Sequence, residues 1–228
     1  MSTTTVLKFF TLTSLVSLSL ILDTNPSSAA ILNGNFDPNL DGWTSLGDVG
    51  VQNSQALLKT DTVNDNYAAL EQFLNSPAGG LDQVGNGEVF QGSALKQIIT
   101  AEAGEVLTFN WNFLTNEPAE STDFNDFAFF TINGNPVKLG DTFSEFSSSA
   151  TPFEKETGFK SKSYKFQNSG TYTLGFGVVD VYDAGKNSGL LIDNVALSKP
   201  ASSVPEPSTV LGVLVLGSLG AIRRFLHL

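Results

Sequence analysis

The 228-residue chain contains no cysteine. Disulfide frameworks, thiolate metal sites and thiol nucleophiles are therefore excluded, and the fold must be held by its core and by any metal it binds. Its one histidine, His227, sits at the C-terminal end. The body thus lacks an imidazole base, a histidine metal ligand and any Ser-His or Cys-His pair. Basic residues are few: 12 Lys and Arg stand against 23 Asp and Glu, a formal net charge of −11. Such a surface repels phosphate backbones, which excludes nucleic acid as a partner, and it suits divalent cations. No Gly-rich phosphate loop, nucleophile motif or internal repeat is found.

What is present begins with two terminal segments. Lys8, the apolar stretch 9–22 and the small residues Ser27-Ser-Ala-Ala30 read as an export signal over 1–30, cut by signal peptidase after Ala30. At the other end Pro205-Glu206-Pro207 precedes an apolar run of 14 residues from Thr209 to Ile222, closed by Arg223-Arg224. As a helix that run covers about 21 Å, short of a ~30 Å hydrocarbon core. The arginines orient it with its basic end in the cytoplasm, so the tail meets the membrane as a transient anchor with an extended tripeptide at the outer face. Residues 199–204 form a linker.

Between these ends, 31–198 reads as one domain. Residues 105–114 alternate, with Leu107, Phe109, Trp111 and Phe113 on one face; residues 171–180 repeat this with Tyr172, Leu174, Phe176 and Val178. Residues 126–132 are apolar on both faces, as in a central strand. Further strands fall at 56–60, 93–100, 163–166 and 190–197, with turns at 103–104, 133–136 and 168–170. One helix is expected at 64–74, where Val63, Tyr67, Leu70 and Leu74 recur at helical spacing. The class is all-β: an antiparallel, jelly-roll-like β-sandwich with one short helix.

The tail resembles the PEP-CTERM sorting signal of exported bacterial proteins. Pro205-Glu206-Pro207, the apolar helix with Gly212, Gly217 and Gly220, and Arg223-Arg224 occur in its order; Phe-Leu-His-Leu after the arginines is a departure. The resemblance implies processing by exosortase and an address at the cell surface or in the extracellular matrix. Stretches 91–97, 111–117, 125–129 and 188–195 are similar to the bodies of uncharacterised PEP-CTERM proteins. Asn33-Gly-Asn-Phe-Asp37, Gly42-Trp-Thr44 and Leu191-Ile-Asp-Asn-Val195 resemble the first and last strands of jelly-roll carbohydrate-binding modules. That likeness implies a structural calcium held by Asp37 and Asp193, and extracellular polysaccharide as a partner. The sugar-binding middle of such modules does not align.

The residues offer their own candidates. Asp193 interrupts Leu191, Val195 and Leu197 and is expected to point into the core, where a carboxylate needs a partner or a metal; Asp37 is the candidate co-ligand. If 111–117 and 125–132 are neighbouring strands, Asn116, Glu117, Asp123 and Asp126 share one end of the sandwich, and Asp180 and Asp183 join them. With no lysine or arginine among them, that group is either held by a divalent cation or is a solvated acidic rim. Trp43 and Tyr182 are candidates for stacking on a ligand, or else loop plugs. Glu117 paired with Asp126 or Asp180 could serve a glycoside hydrolase. The favoured function is a non-catalytic binding or structural module, calcium-stabilised and associated with exopolysaccharide. The alternatives are a surface glycan hydrolase and a purely structural coat component.

Overall fold

The computed structural model describes residues 31–61, 66–118 and 123–199. The export signal, most of the linker and the sorting tail lie outside them.

The strands are β1 (Thr44–Leu46), β2 (Asp48–Gln52), β3 (Gln55–Lys59), β4 (Val89–Ala101), β5 (Val106–Thr115) and β6 (Phe127–Ile132). They continue as β7 (Asn135–Asp141), β8 (Ser147–Ser148), β9 (Lys155–Glu156), β10 (Lys160–Lys165), β11 (Gly170–Val181) and β12 (Ser188–Ser198). One sheet runs β1-β4-β11-β6-β7; the other runs β2-β3-β12-β5-β9-β8, with β10 also on β5. Every pairing is antiparallel. The expected sandwich is what forms.

The alternating residues do the packing. Leu107, Phe109, Trp111 and Phe113 from β5 meet Leu174, Phe176 and Val178 from β11 between the sheets, with Ala128, Phe130 and Ile132 from β6. Phe109 stands edge-on to Phe130 and Phe176, at 5.3 and 4.9 Å between ring centres, the offset geometry that aromatic quadrupoles favour.

The other face of β6 has its own cover. Phe127 and Phe129 pack with Val179, Val181 and Ala94 beneath Leu70 and Leu74 of the one helix, α1 (Tyr67–Leu74). This is why 127–132 is apolar on both sides: one face meets the second sheet and the other meets α1. Gly177 fits the same layer, because a Cβ there would lie 2.4 Å from the Phe129 ring. Asn75 ends the helix in a left-handed conformation, φ 59°, a habitual role for Asn. The chain then folds back, and the buried Glu71 carboxylate accepts the Gly79 and Leu81 N–H groups at 2.9 and 3.0 Å.

Candidate functional site

One end of the sandwich gathers the exits of β3, β5 and β11 and the entries of β4, β6 and β12. The acids placed there by topology are mostly sealed in. Asp126 and Asp180 are 0% exposed and Glu117 is 3% exposed, which overturns the solvated rim. The oxygens of Asp126 accept the Val181 N–H at 3.0 Å and the Ser188 hydroxyl at 2.6 Å. Ser188 also meets the Thr115 hydroxyl at 2.9 Å, and Thr115 accepts the Glu117 N–H. One oxygen of Asp180 accepts from the Gln91 amide at 3.0 Å, and that amide also donates to the Thr60 carbonyl. The network thus joins both sheets.

Burial raises the pKa of each acid, because the charged form loses its water. Asp126 is pushed up to about 9, by burial and then by the neighbouring Asp180, against the bonds from Ser188 and Val181. Asp180 is pushed up to about 7, first by burial. Glu117 is raised by burial and then by Asp183, and lowered by Lys186 and Lys155. Lys155 also donates to the Glu117 carbonyl. The expectation that no lysine approaches the group is therefore corrected: Lys155 comes from β9, which the strand pattern did not place, and Lys186 from the same β11–β12 loop as Asp183.

Two members stand apart. Asn116 ties loops together, accepting the Glu154 N–H at 2.8 Å and donating its own N–H to the Asn187 carbonyl. Asp123 is exposed. Asp183 is half-buried, and its Oδ1 is buried without a partner, as is Oδ1 of Asp180. Among the described residues no three acidic, histidine or cysteine side chains already stand in an arrangement that holds a metal ion.

The first and last strands are arranged differently from expectation. The pairing of β12 with β5 slips between Asp193 and Ala196, where Asn194 takes a left-handed φ of 53°. This bulge changes which residues face inward. Leu190, Ile192 and Val195 reach the core, and Leu191 packs outside with Leu114 and Phe153. Asp193 is half-buried rather than core-facing, and its carboxylate accepts the Asn194 N–H at 2.6 Å. Asp37 is exposed beside the buried Phe36. The segment carrying it docks on β12, since the Val195 N–H donates to the Gly34 carbonyl at 2.9 Å. Neither Asp37 nor Asp193 is buried without a partner, so nothing in this geometry demands an ion there.

Of the two aromatic candidates, Trp43 is a plug. It is 9% exposed, lies 5.4 Å from Phe36 and 5.9 Å from Phe176 between ring centres, and donates its Nε1–H to the Asn33 carbonyl. Its polar neighbours in sequence form the turn that folds it back. Tyr182 is the opposite case, 55% exposed, with a left-handed φ of 68°. It lines a cleft of about 150 Å³ with Tyr67, Glu88, Val89 and Phe90.

Neither Phe90 nor the exposure of Tyr67 follows from the strand and helix patterns. The register of β4 with β11 jumps from Gln91–Asp180 to Val89–Val181. Phe90 is the extra residue of that bulge and is turned outward, 36% exposed, and Tyr67 opens α1 at 38% exposed.

Compared with solved structures, the chain is similar in shape to a protein titled CBM4, at 10% identity and a TM-score of 0.37, covering 75% of this chain and 99% of that one. It is similar to TmCBM61, solved with β-1,4-galactotriose, at 13% identity and 0.35, covering 73% and 92%. It is also similar to TmCBM27, a carbohydrate-binding module that recognises mannan, at 14% and 0.36, covering 75% and 96%. No curated protein matches the chain in sequence. Among the described residues no helix is long and apolar enough to cross a membrane. Residues 203–224 match the PEP-CTERM protein-sorting motif, so the chain carries the address of an exported protein sorted to the cell surface.

Proposed function

We propose that the protein is an exosortase-processed surface protein whose sandwich is a non-catalytic glycan-binding module. In this reading the apolar tail is a transient anchor, removed at Pro205-Glu206-Pro207. The observation that carries the binding role is the cleft at Tyr182. Three exposed aromatic rings around one acidic side chain, Glu88, give a pyranose apolar faces to stack on and an acceptor for its hydroxyls. The left-handed backbone at Tyr182 adds to this, because strain of that kind is kept where a side chain must be aimed.

The hydrolase alternative asks Glu117, Asp126 or Asp180 to reach a glycosidic oxygen. All three are sealed from solvent, so the acids that could serve it are not on a binding surface. The test is calorimetric titration of the full-length chain with soluble β-linked polysaccharides, beside a reducing-end assay. Binding without release of reducing ends, weakened in Tyr182→Ala, supports the module. Release of reducing ends would establish the hydrolase. Self-association with no glycan binding would establish the coat component.

A further inference from the structure

We propose that the cleft at Tyr182 selects an amino sugar: a pyranose with a free, protonated amine, set among Tyr67, Phe90 and Tyr182 with Glu88 as its counter-charge. The assignment rests on the glycan-binding reading and names the class of glycan within it. A neutral sugar asks only for rings to stack on and hydrogen-bond partners. An ammonium is drawn in addition to the negative faces of those rings and to a carboxylate. The cleft offers both.

The protein's own cations leave these groups free. Among the described residues, four lysines stand over aromatic rings, at Phe73, Phe146, Trp111 and Phe130, 4.2 to 6.0 Å from the ring centres. Three others pair with Asp48, Asp141 and Glu102. None of the described lysines stands over Tyr67, Phe90 or Tyr182, and none pairs with Glu88. Elsewhere on the molecule, then, exposed ring faces and acids are answered from within; at this cleft an acid and three rings await a cation from outside.

Acid and ring are held together before a ligand arrives. The Tyr182 N–H donates to the Glu88 carbonyl at 2.9 Å. A Cβ on Gly87 would lie 2.7 Å from Cε2 of Tyr182, so only glycine lets the chain run against that ring. The cleft volume of about 150 Å³ is below the ~300–1,000 Å³ of clefts that take drug-sized ligands, which suits one sugar ring rather than a run of them. Charge then sorts the sugars. Glu88 and the net charge of −11 repel uronic and sulfated residues and attract an ammonium. Glu88 is exposed, so its pair with the amine is worth only a few-fold in affinity; the rings supply the larger share.

The experiment is calorimetric titration of the full-length chain at about pH 5.5, where amines are protonated and carboxylates ionised, in ~0.15 M salt to screen distant surface acids. The probes are the β-1,4-linked trimer of glucosamine, its tri-N-acetyl counterpart and choline. The glucosamine trimer is expected to bind ~10-fold more tightly than the acetylated one. Glu88→Gln should weaken the glucosamine trimer ~3-fold and leave the acetylated trimer unchanged, whereas Tyr182→Ala should weaken both. Asp37→Asn, an exposed acid outside the cleft, should change neither. Equal affinity for the two trimers, with both still weakened in Tyr182→Ala, overturns the amino-sugar assignment and leaves the glycan-binding reading standing. Binding of neither trimer overturns both. An equal loss in Asp37→Asn and Glu88→Gln would show diffuse attraction to an acidic surface, and choline bound as tightly as the glucosamine trimer would show a site for a bare ammonium; either result overturns the assignment.

Discussion

Replacing Tyr182 by alanine and by glycine separates what the ring does from what the backbone endures. Both substitutions delete the ring, so the contacts it makes along the cleft cancel when the two variants are compared. What differs is the left-handed φ of 68°. Alanine keeps a Cβ against the following carbonyl, at ~1–2 kcal/mol, and glycine does not. Glycine gives back ~0.5–1 kcal/mol through the freedom of its unfolded chain. The glycine variant should therefore be the more stable by ~0.5–1 kcal/mol, or ~1–4 °C in Tm for a domain of this size. Both should bind glycan ~10-fold more weakly, the loss of one anchor worth ~1.4 kcal/mol. Thermal unfolding and calorimetric titration, run in the same buffer, read the two effects separately. An alanine variant as stable as the glycine one would refute the strain argument. Unchanged affinity in both would refute the platform.

Trp43→Ala should destabilise the sandwich by ~3–5 kcal/mol, the usual cost of emptying a large aromatic site, and leave the glycan affinity of the folded fraction unchanged; denaturant unfolding beside titration checks this. Stability should fall as pH rises from about 4 towards about 9, because folded Asp126 keeps a proton that the unfolded chain gives up at its ordinary 3.8. Asp126→Asn, which carries no such proton, should flatten that slope in urea melts at pH 5 and pH 8; an unchanged slope would show that Asp126 is ionised in the fold. Mature protein recovered from cells should lack Arg223 and Arg224 by mass spectrometry, and their retention would count against cleavage at the Pro-Glu-Pro step.

The strands that alternate were legible because their environment is simple. Residues 105–114 and 171–180 face one core, and the parity of their apolar residues states which side. The double-sided 127–132 was legible as a central strand, although the cover on its second face, α1, had to be seen. The edge strands β7 and β8 were not, since Asn135, Lys138, Ser147 and Ser148 carry no apolar signal at a half-solvated edge, and neither was β9, only Lys155 and Glu156 between β8 and β5. Asp193 was misread because the bulge at Asn194 leaves no mark in composition and shifts every later residue by one. The acidic group was gathered on the premise that 111–117 and 125–132 are neighbouring strands, and that premise is corrected: β5 and β6 lie in opposite sheets, and their ends meet across the sandwich. The burial of the group was not legible either, because the partners that make it tolerable (Thr60, Gln91, Thr115 and Ser188) come from four separate strands or their ends.

The bulge between β4 and β11 explains why the acids and the aromatic cleft share an end. Along β11 the even-numbered residues Leu174, Phe176 and Val178 point between the sheets, and Asp180 takes the next inward position beside Gln91. Strict alternation would send Tyr182 inward as well. The slip after Asp180 releases Phe90 from the opposite strand, and the left-handed turn at Tyr182 sends its ring out over the surface instead. A bulge therefore converts the last step of a buried strand into a displayed aromatic pair. On this account, restoring strict alternation by deleting Phe90 should abolish glycan binding; in full-length protein that remains folded by circular dichroism, retention of binding would refute it.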